Sequence, residues 1–365
     1  MIKSKKSIHG LPVYQPGKPL EEVRRELGLE RIIKLASNEN PFGSSKAVWK
    51  AIEQGKDSLQ LYPEGSAPDL REKVAEHLEV DPRRLIFGNG SDEIVQMIAS
   101  TYLEPDTEAV MADLTFPRYE TVTKIEGAIP IQVPLKEGTH DLEGMLAVIT
   151  EKTRVVWICN PNNPTGTIVG REELESFLDQ VPDHVLTVLD EAYAEYVTDS
   201  SYPDSLSLLD YNPNIVVLRT FSKIYGLAAL RVGFGVAHPD VVTELNRVRD
   251  PFNLNRLAQL AASAAVEDQT FVFYCRNQNE SGRKQITGRL DQLGLFHYPS
   301  HGNFILFDTG FPANDVFQFL LHRGVITRSG EGLGFPTFLR VTIGSKDENE
   351  AFLKELESFL EEHKC

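Results

Sequence analysis

The chain has 365 residues, with 37 Lys and Arg against 53 Asp and Glu, a formal net charge of −16. Such a surface repels polyanions, which argues against nucleic acid and acidic membranes as partners yet leaves room for a local basic pocket. Hydrophobic residues make up 41% and no run approaches ~18 apolar residues, so one large soluble domain with a smaller companion is expected, not a membrane span.

In chain order, the N-terminus "MIKSKKSIHGLPVYQPGKPL" is basic and lacks the apolar core of a secretory signal. "RLIFGNG" (84–90) reads as a strand and turn, and "SDEIVQMIASTYL" (91–103) as the helix that follows. "AVMAD" (109–113) is a short strand, and "RVVWICN" (154–160) and "HVLTVLDEAY" (184–193) are continuous apolar runs. "REELESFLDQ" (171–180) supplies a crossover helix between those runs, and "NIVVLRT" and "RVGFGVA" (231–237) follow. Unbroken apolar runs separated by amphipathic helices predict an α/β protein whose mostly parallel sheet is sandwiched by helices. After a long helical stretch at 256–295, "NFILF" (303–307), "FLRVTIG" (338–344) and a final helix predict a smaller α+β domain. That helix carries Phe352, Leu353, Leu356, Phe359 and Leu360 on one stripe. The division expected is 1–45 as a segment packing on the small domain or a partner, 46–250 as the large domain, and 251–365 as interdomain helix and small domain.

Cys159, Cys275 and Cys365 show no paired or ligand-like spacing. Neither a disulfide framework nor a metal site is expected, and a reducing, cytoplasmic home is.

In a parallel sheet, chemistry gathers at the carboxyl ends of the strands. Those ends carry "GNGSDE" at a helix start, "NNPTG", "DEAY", and "FSK" followed by Arg231. Each piece alone has an ordinary reading: a capped helix, a proline turn, a salt bridge, a solvated lysine. Each also has a chemical one. A helix start offers free N–H groups to a phosphate. A buried carboxylate can pair with a cationic ring nitrogen, and a lysine among cations can lose its proton and attack a carbonyl. Together they suit pyridoxal 5′-phosphate.

The ordered set "NENP … YP … GNGSDE … TF … NNPTG … DEAY … TFSKIYGLAALRVG … LRVTIG" resembles the fold-type I, class II aminotransferases. Within them it is most similar to the histidinol-phosphate aminotransferases, from "YQPGKP" to the last helix. The resemblance implies that Lys223 holds the cofactor as a Schiff base and moves the proton during catalysis. It implies that Asp190 pairs with the pyridine nitrogen and that Asn163 and Tyr193 hydrogen-bond the phenolic oxygen. Ser91 and Asp92 (through backbone N–H), Ser222 and Arg231 would hold the phosphate, and Phe116 would stack on the ring. Tyr62 would reach the phosphate of a neighbouring subunit's cofactor, which makes the active site a property of a homodimer. Arg340, with Arg328 and Tyr14, would bind the anionic end of glutamate, 2-oxoglutarate or histidinol phosphate, and Asn38 and Glu39 would line a loop over the site. The implied activity is transamination of L-histidinol phosphate with 2-oxoglutarate in histidine biosynthesis, with room for aromatic amino acids as donors. The rivals are a phosphoamino-acid decarboxylase on the same scaffold, a ligand-sensing regulator that borrows it, and a nicotinamide dehydrogenase.

Overall fold

The computed structural model describes residues 2–363 except positions 12, 14–19 and 30. Twelve strands run in chain order among them: β1 (Ile33–Lys34), β2 (Leu85–Gly88), β3 (Glu108–Ala112), β4 (Ile129–Val133), β5 (Thr153–Cys159), β6 (Leu186–Asp190), β7 (Ile215–Thr220), β8 (Gly233–Ala237), β9 (Phe304–Asp308), β10 (Val325–Ile326), β11 (Arg328–Ser329) and β12 (Phe338–Thr342). Seven of them form the large sheet in the order β2-β8-β7-β6-β5-β3-β4. Only β8 runs antiparallel to its neighbours in this sheet, and the rest are mutually parallel. Their carboxyl ends therefore share one edge.

The two-residue period of a strand decides what each face receives. On β5, Val155, Trp157 and Cys159 enter one core cluster, and Val156 and Ile158 enter the other. On β6, Leu186 and Val188 face the first cluster and Leu189 the second, so Asp190 falls in phase with the first and Glu191 with the second. On β7, Val216 and Leu218 carry the same phase to Thr220, and Ile215 and Val217 carry the other to Arg219. The helices Ser91–Tyr102, Arg118–Ile125 and Pro239–Val248 pack together on the first face, and Lys46–Gly55, Pro68–Leu78 and Arg256–Glu267 pack together on the second. Each fully buried large apolar side chain here stabilises by about 1.5–3 kcal/mol, enough to hold several polar groups at the strand ends.

β9, β12 and β11 form a separate antiparallel sheet. Ile305, Phe307, Leu339 and Val341 from that sheet meet Phe352, Leu353, Leu356, Phe359 and Leu360 of the last helix, so the expected stripe is buried. Ser345 and Glu348 close a reciprocal capping box at that helix's start. With Leu339 and Val341 in this core, the alternation turns Arg340 and Thr342 the other way. β1 pairs with β10, which ties the segment before residue 36 to this sheet's neighbourhood.

Candidate active site

A cavity of about 300 Å³ opens at the carboxyl edge of the large sheet. It is walled by Lys223, Asp190, Tyr193, Asn163, Ser91, Asp92, Phe116, Ser222, Arg231, Asn38, Arg328 and Arg340. Side chains from Asn38 to Arg340 in the sequence thus converge on one space. Tyr62 is absent from the wall; it is 81% exposed and stacks on Phe252 with ring centroids 4.7 Å apart. Tyr14 lies outside the described residues. Glu39 turns from the cavity to pair with Lys34 at 2.7 Å.

The floor comes from the phase of the strands. Cys159, Asp190 and Thr220 end β5, β6 and β7 and all line the cavity, Cys159 directly opposite Asp190 and Thr220 two residues past Leu218, the β7 partner of Asp190. Asp190 is buried, and its Oδ2 accepts a hydrogen bond from Tyr119 Oη at 2.7 Å while Oδ1 accepts from the Ala192 amide at 3.2 Å. Burial pushes its carboxyl up to about 6, against the pull of the Tyr119 hydroxyl. On the opposite phase, Glu191 pairs with Arg219 at 2.5 Å, away from the cavity. The two acids of "DEAY" are sorted to opposite faces by one residue of register.

Lys223 follows β7 in a turn whose Gly226 has φ +71°. A side chain there would meet the Gly43 carbonyl oxygen at 1.8 Å, so glycine lets the lysine turn nest against the loop at 43. Asn40 Nδ2 donates to the Ile224 carbonyl at 2.7 Å and holds the two segments together. The Lys223 ammonium sits 5.6 Å from the centre of the Tyr193 ring and makes a long 3.4 Å contact to the Ser37 carbonyl. Burial, then Arg340, lower its pKa to about 8, so a neutral, nucleophilic amine is within easy reach.

The helix Ser91–Tyr102 starts without a side-chain cap, its N-cap being Gly90 at φ +80°. Neither Ser91 nor Asp92 caps it. Its first N–H groups remain available, and the partial positive charge of the helix start is unspent. Arg231 Nη1 donates to Ser222 Oγ at 3.2 Å, and Nη2 reaches Asp92 at 3.3 Å. A Cβ on Gly90 would come 2.5 Å from Arg231 Nη2, and one on Gly233 would come 2.4 Å from the Ser91 nitrogen. The two glycines thus let the arginine and the helix start approach one another at the cavity wall. Helix start with arginine, buried acid and low-pKa lysine are what the phosphate, ring nitrogen and aldehyde of pyridoxal phosphate require, so the residues present fit that group.

At the cavity's other end, Arg340 donates to the Asn163 side-chain oxygen at 2.7 Å and to the Ala36 carbonyl at 3.0 Å, and its buried Nε has no partner. Burial lowers its pKa to about 10, and the neighbouring Arg328 lowers it too. Tyr193 Oη accepts from Asn38 Nδ2 at 3.0 Å and lies 3.5 Å from Asn163 Nδ2. Asn38 itself is held in the left-handed region, with its amide donating to Thr342 Oγ1 at 2.9 Å and its carbonyl accepting from Asn303.

Sequence reasoning missed Tyr119, Asn40, Thr220, Cys159 and Leu333. Thr220 and Cys159 are recoverable from strand phase alone. Leu333 comes from a loop with no local signal. Tyr119 and Asn40 act through partners 71 and 184 residues away, which no spacing rule announces.

Residues 30–356 match the family model "Aminotransferase class I and II". A histidinol-phosphate aminotransferase of Geobacillus sp. (strain WCH70) is 54% identical over 99% of both chains. One from Brevibacillus brevis is 53% identical over 98% of this chain and 99% of its own. The solved histidinol-phosphate aminotransferase from Sinorhizobium meliloti, in complex with pyridoxal-5′-phosphate, superposes with a TM-score of 0.90 at 27% identity, covering 98% of this chain and 99% of that one.

Proposed function

This chain belongs to the class I and II aminotransferases, and from that premise we propose that it transfers an amino group from L-histidinol phosphate to 2-oxoglutarate. The products are imidazole-acetol phosphate and L-glutamate, and the step belongs to histidine biosynthesis. The cofactor is pyridoxal 5′-phosphate, which when bound supplies an electron sink that acidifies the substrate Cα–H and a carbon that receives the amino group.

This chain's own residues do the rest. Lys223 would hold the cofactor at its carbonyl carbon and, once freed as an amine, would take the proton from the substrate Cα and pass it to the carbon that receives the amino group. Asp190 would keep a proton on the ring nitrogen by offering it a buried carboxylate. Tyr193 and Asn163 would hydrogen-bond the phenolic oxygen. The helix start at Ser91 and Asp92, with Ser222 and Arg231, would hold the phosphate, and Phe116 would cover a ring face. Arg340 and Arg328 bind the substrate's anionic end. In one half-reaction this is the phosphate of histidinol phosphate, and in the other it is a carboxylate of glutamate.

The observation that carries the substrate reading is the arginine pair. Arg328 and Arg340 occupy directly opposed positions on β11 and β12 and wall the same cavity as Lys223. Like charges so placed repel, and Arg328 lowers the affinity of Arg340 for its proton; an anionic group between them removes that cost. A homodimer completes the site, with Tyr62 reaching across to the partner's phosphate cradle. The exposed Trp49, Leu59 and Leu61 support a buried surface around it. The buried thiols of Cys159 and Cys275 suit the cytoplasm.

The test is to add histidinol phosphate, tyrosine and glutamate singly to cofactor-loaded protein. Histidinol phosphate and glutamate should each convert the cofactor to its amine form, and 2-oxoglutarate should reverse it. Release of carbon dioxide, or no conversion by histidinol phosphate, would refute the reading.

A further inference from the structure

Tyr119 is fully buried at the start of the helix Arg118–Ile125, under the cavity floor. Three contacts fix it. Its ring lies parallel to that of Trp157, with centroids 5.0 Å apart at 6°. Its edge meets Phe116 at 5.5 Å and 80°. Its hydroxyl donates to Asp190 Oδ2 at 2.7 Å. One side chain therefore touches both the ring-covering phenylalanine and the acid beneath the ring nitrogen. We propose that Tyr119 is a positioning residue for the transamination: its hydroxyl holds the Asp190 carboxylate ionised and aimed at the cofactor nitrogen, and its stacked ring fixes that hydroxyl in place. This rests on the reading of Asp190 as the nitrogen's partner.

The physical argument is about which groups can charge Asp190. Burial disfavours its carboxylate, and so do Asp92 from the helix Ser91–Tyr102 and Glu191 on its own chain. Cys159, its register partner on β5, is a neutral thiol whose ionisation burial strongly opposes. Tyr193, three residues along the chain, is likewise kept neutral by burial. Against these stand two donors, the Ala192 amide and Tyr119. The Tyr119 hydroxyl keeps its own proton, because burial raises its pKa well above the ordinary phenol range. It therefore acts as donor in the contact to Asp190. Among the described residues it is the side-chain donor that Asp190 has.

The experiment measures cofactor binding by apoenzyme across pH, for the parent, Tyr119→Phe and Asp190→Asn. Tyr119→Phe keeps the ring packing against Trp157 and Phe116 and deletes the donor. A hydrogen bond to a charged group implies a loss of cofactor affinity of about tenfold or more near neutral pH. The midpoint of the acid-side loss should move to higher pH, because Asp190 then takes up a proton more readily. In the loaded enzyme kcat should fall with KM for 2-oxoglutarate unchanged, since the arginine pair is untouched. Placing 3-fluorotyrosine at 119, a stronger donor of nearly the same shape, should move the midpoint the other way; it also serves if the phenylalanine variant does not fold. An unmoved midpoint, or an affinity loss equal at every pH, overturns the proposal and leaves Tyr119 as packing. Asp190→Asn that binds like the parent at every pH would instead show that the Asp190 assignment itself fails.

Discussion

Arg340 faces Arg328 across the β12–β11 pairing, and its buried Nε donates to nothing. A guanidinium with an idle buried donor beside a second cation is costly in the free protein and becomes favourable when an anion arrives. Arg340→Ala should therefore raise KM for glutamate and for histidinol phosphate together, by about ten- to a hundredfold given the value of a charged hydrogen bond. Arg340→Lys should recover only part, because a lysine cannot offer the forked geometry. Steady-state kinetics with each substrate check this; an effect on neither would remove the shared-arginine idea.

The second prediction concerns pH. Asp190 has a folded-state pKa of about 6, raised by burial above the ordinary carboxyl range. Stability from such a group is complete in acid below that ordinary range and is lost as the pH rises through about 6. At pH 8 the apoenzyme bears the cost of a buried carboxylate, about 3 kcal/mol from the size of the shift. Asp190→Asn should make the apoenzyme more stable at pH 8 by up to that amount, and the gain should shrink toward pH 5, while turnover is lost. Urea denaturation of both apoproteins at the two pH values decides it.

A third prediction isolates the phosphate cradle. A methyl group on Gly233 would sit 2.4 Å from the Ser91 nitrogen, which is backbone and cannot swing aside. Gly233→Ala should destabilise by about 1–3 kcal/mol, as overpacking does, and should weaken cofactor binding by displacing the helix start. Thermal melts with and without cofactor check this: the cofactor-induced rise in melting temperature should be smaller in the variant.

The fourth prediction is about the exposed Tyr62. It does not line its own chain's cavity and stacks openly on Phe252. Tyr62→Phe and Lys223→Ala should each be impaired alone, and their mixture should recover partial activity. Each mixed dimer then holds one site with an intact lysine and an intact tyrosine. Refolded mixtures assayed against the separate variants test it, and no recovery would place Tyr62 outside the partner's site.

Much of this was readable from sequence for one physical reason: continuous apolar runs fix strands, and strand ends fix where chemistry collects. β5, β6 and β7 fall where "RVVWIC", "VLTVLD" and "NIVVLRT" put them. β4 escaped, because Ile129 and Gln132 lie on an exposed edge and Pro130 interrupts the pattern. The reversed direction of β8 left no trace either, since a strand buried on both faces looks alike whichever way it runs. At the site, the placement of residues within a motif on the cavity wall was legible, as with Asp190 and Lys223. Tyr119 was not, because its role is defined by a partner on another strand and its own neighbourhood reads as an ordinary amphipathic helix.

The measurement that bears most directly on the account is borohydride reduction of cofactor-loaded protein followed by peptide mapping. The label should fall on Lys223, within the peptide that spans residues 220–231, and Lys223→Ala should abolish it together with the bound cofactor's visible absorbance. Label on another lysine, or an unlabelled Lys223 in fully loaded protein, would contradict the central claim.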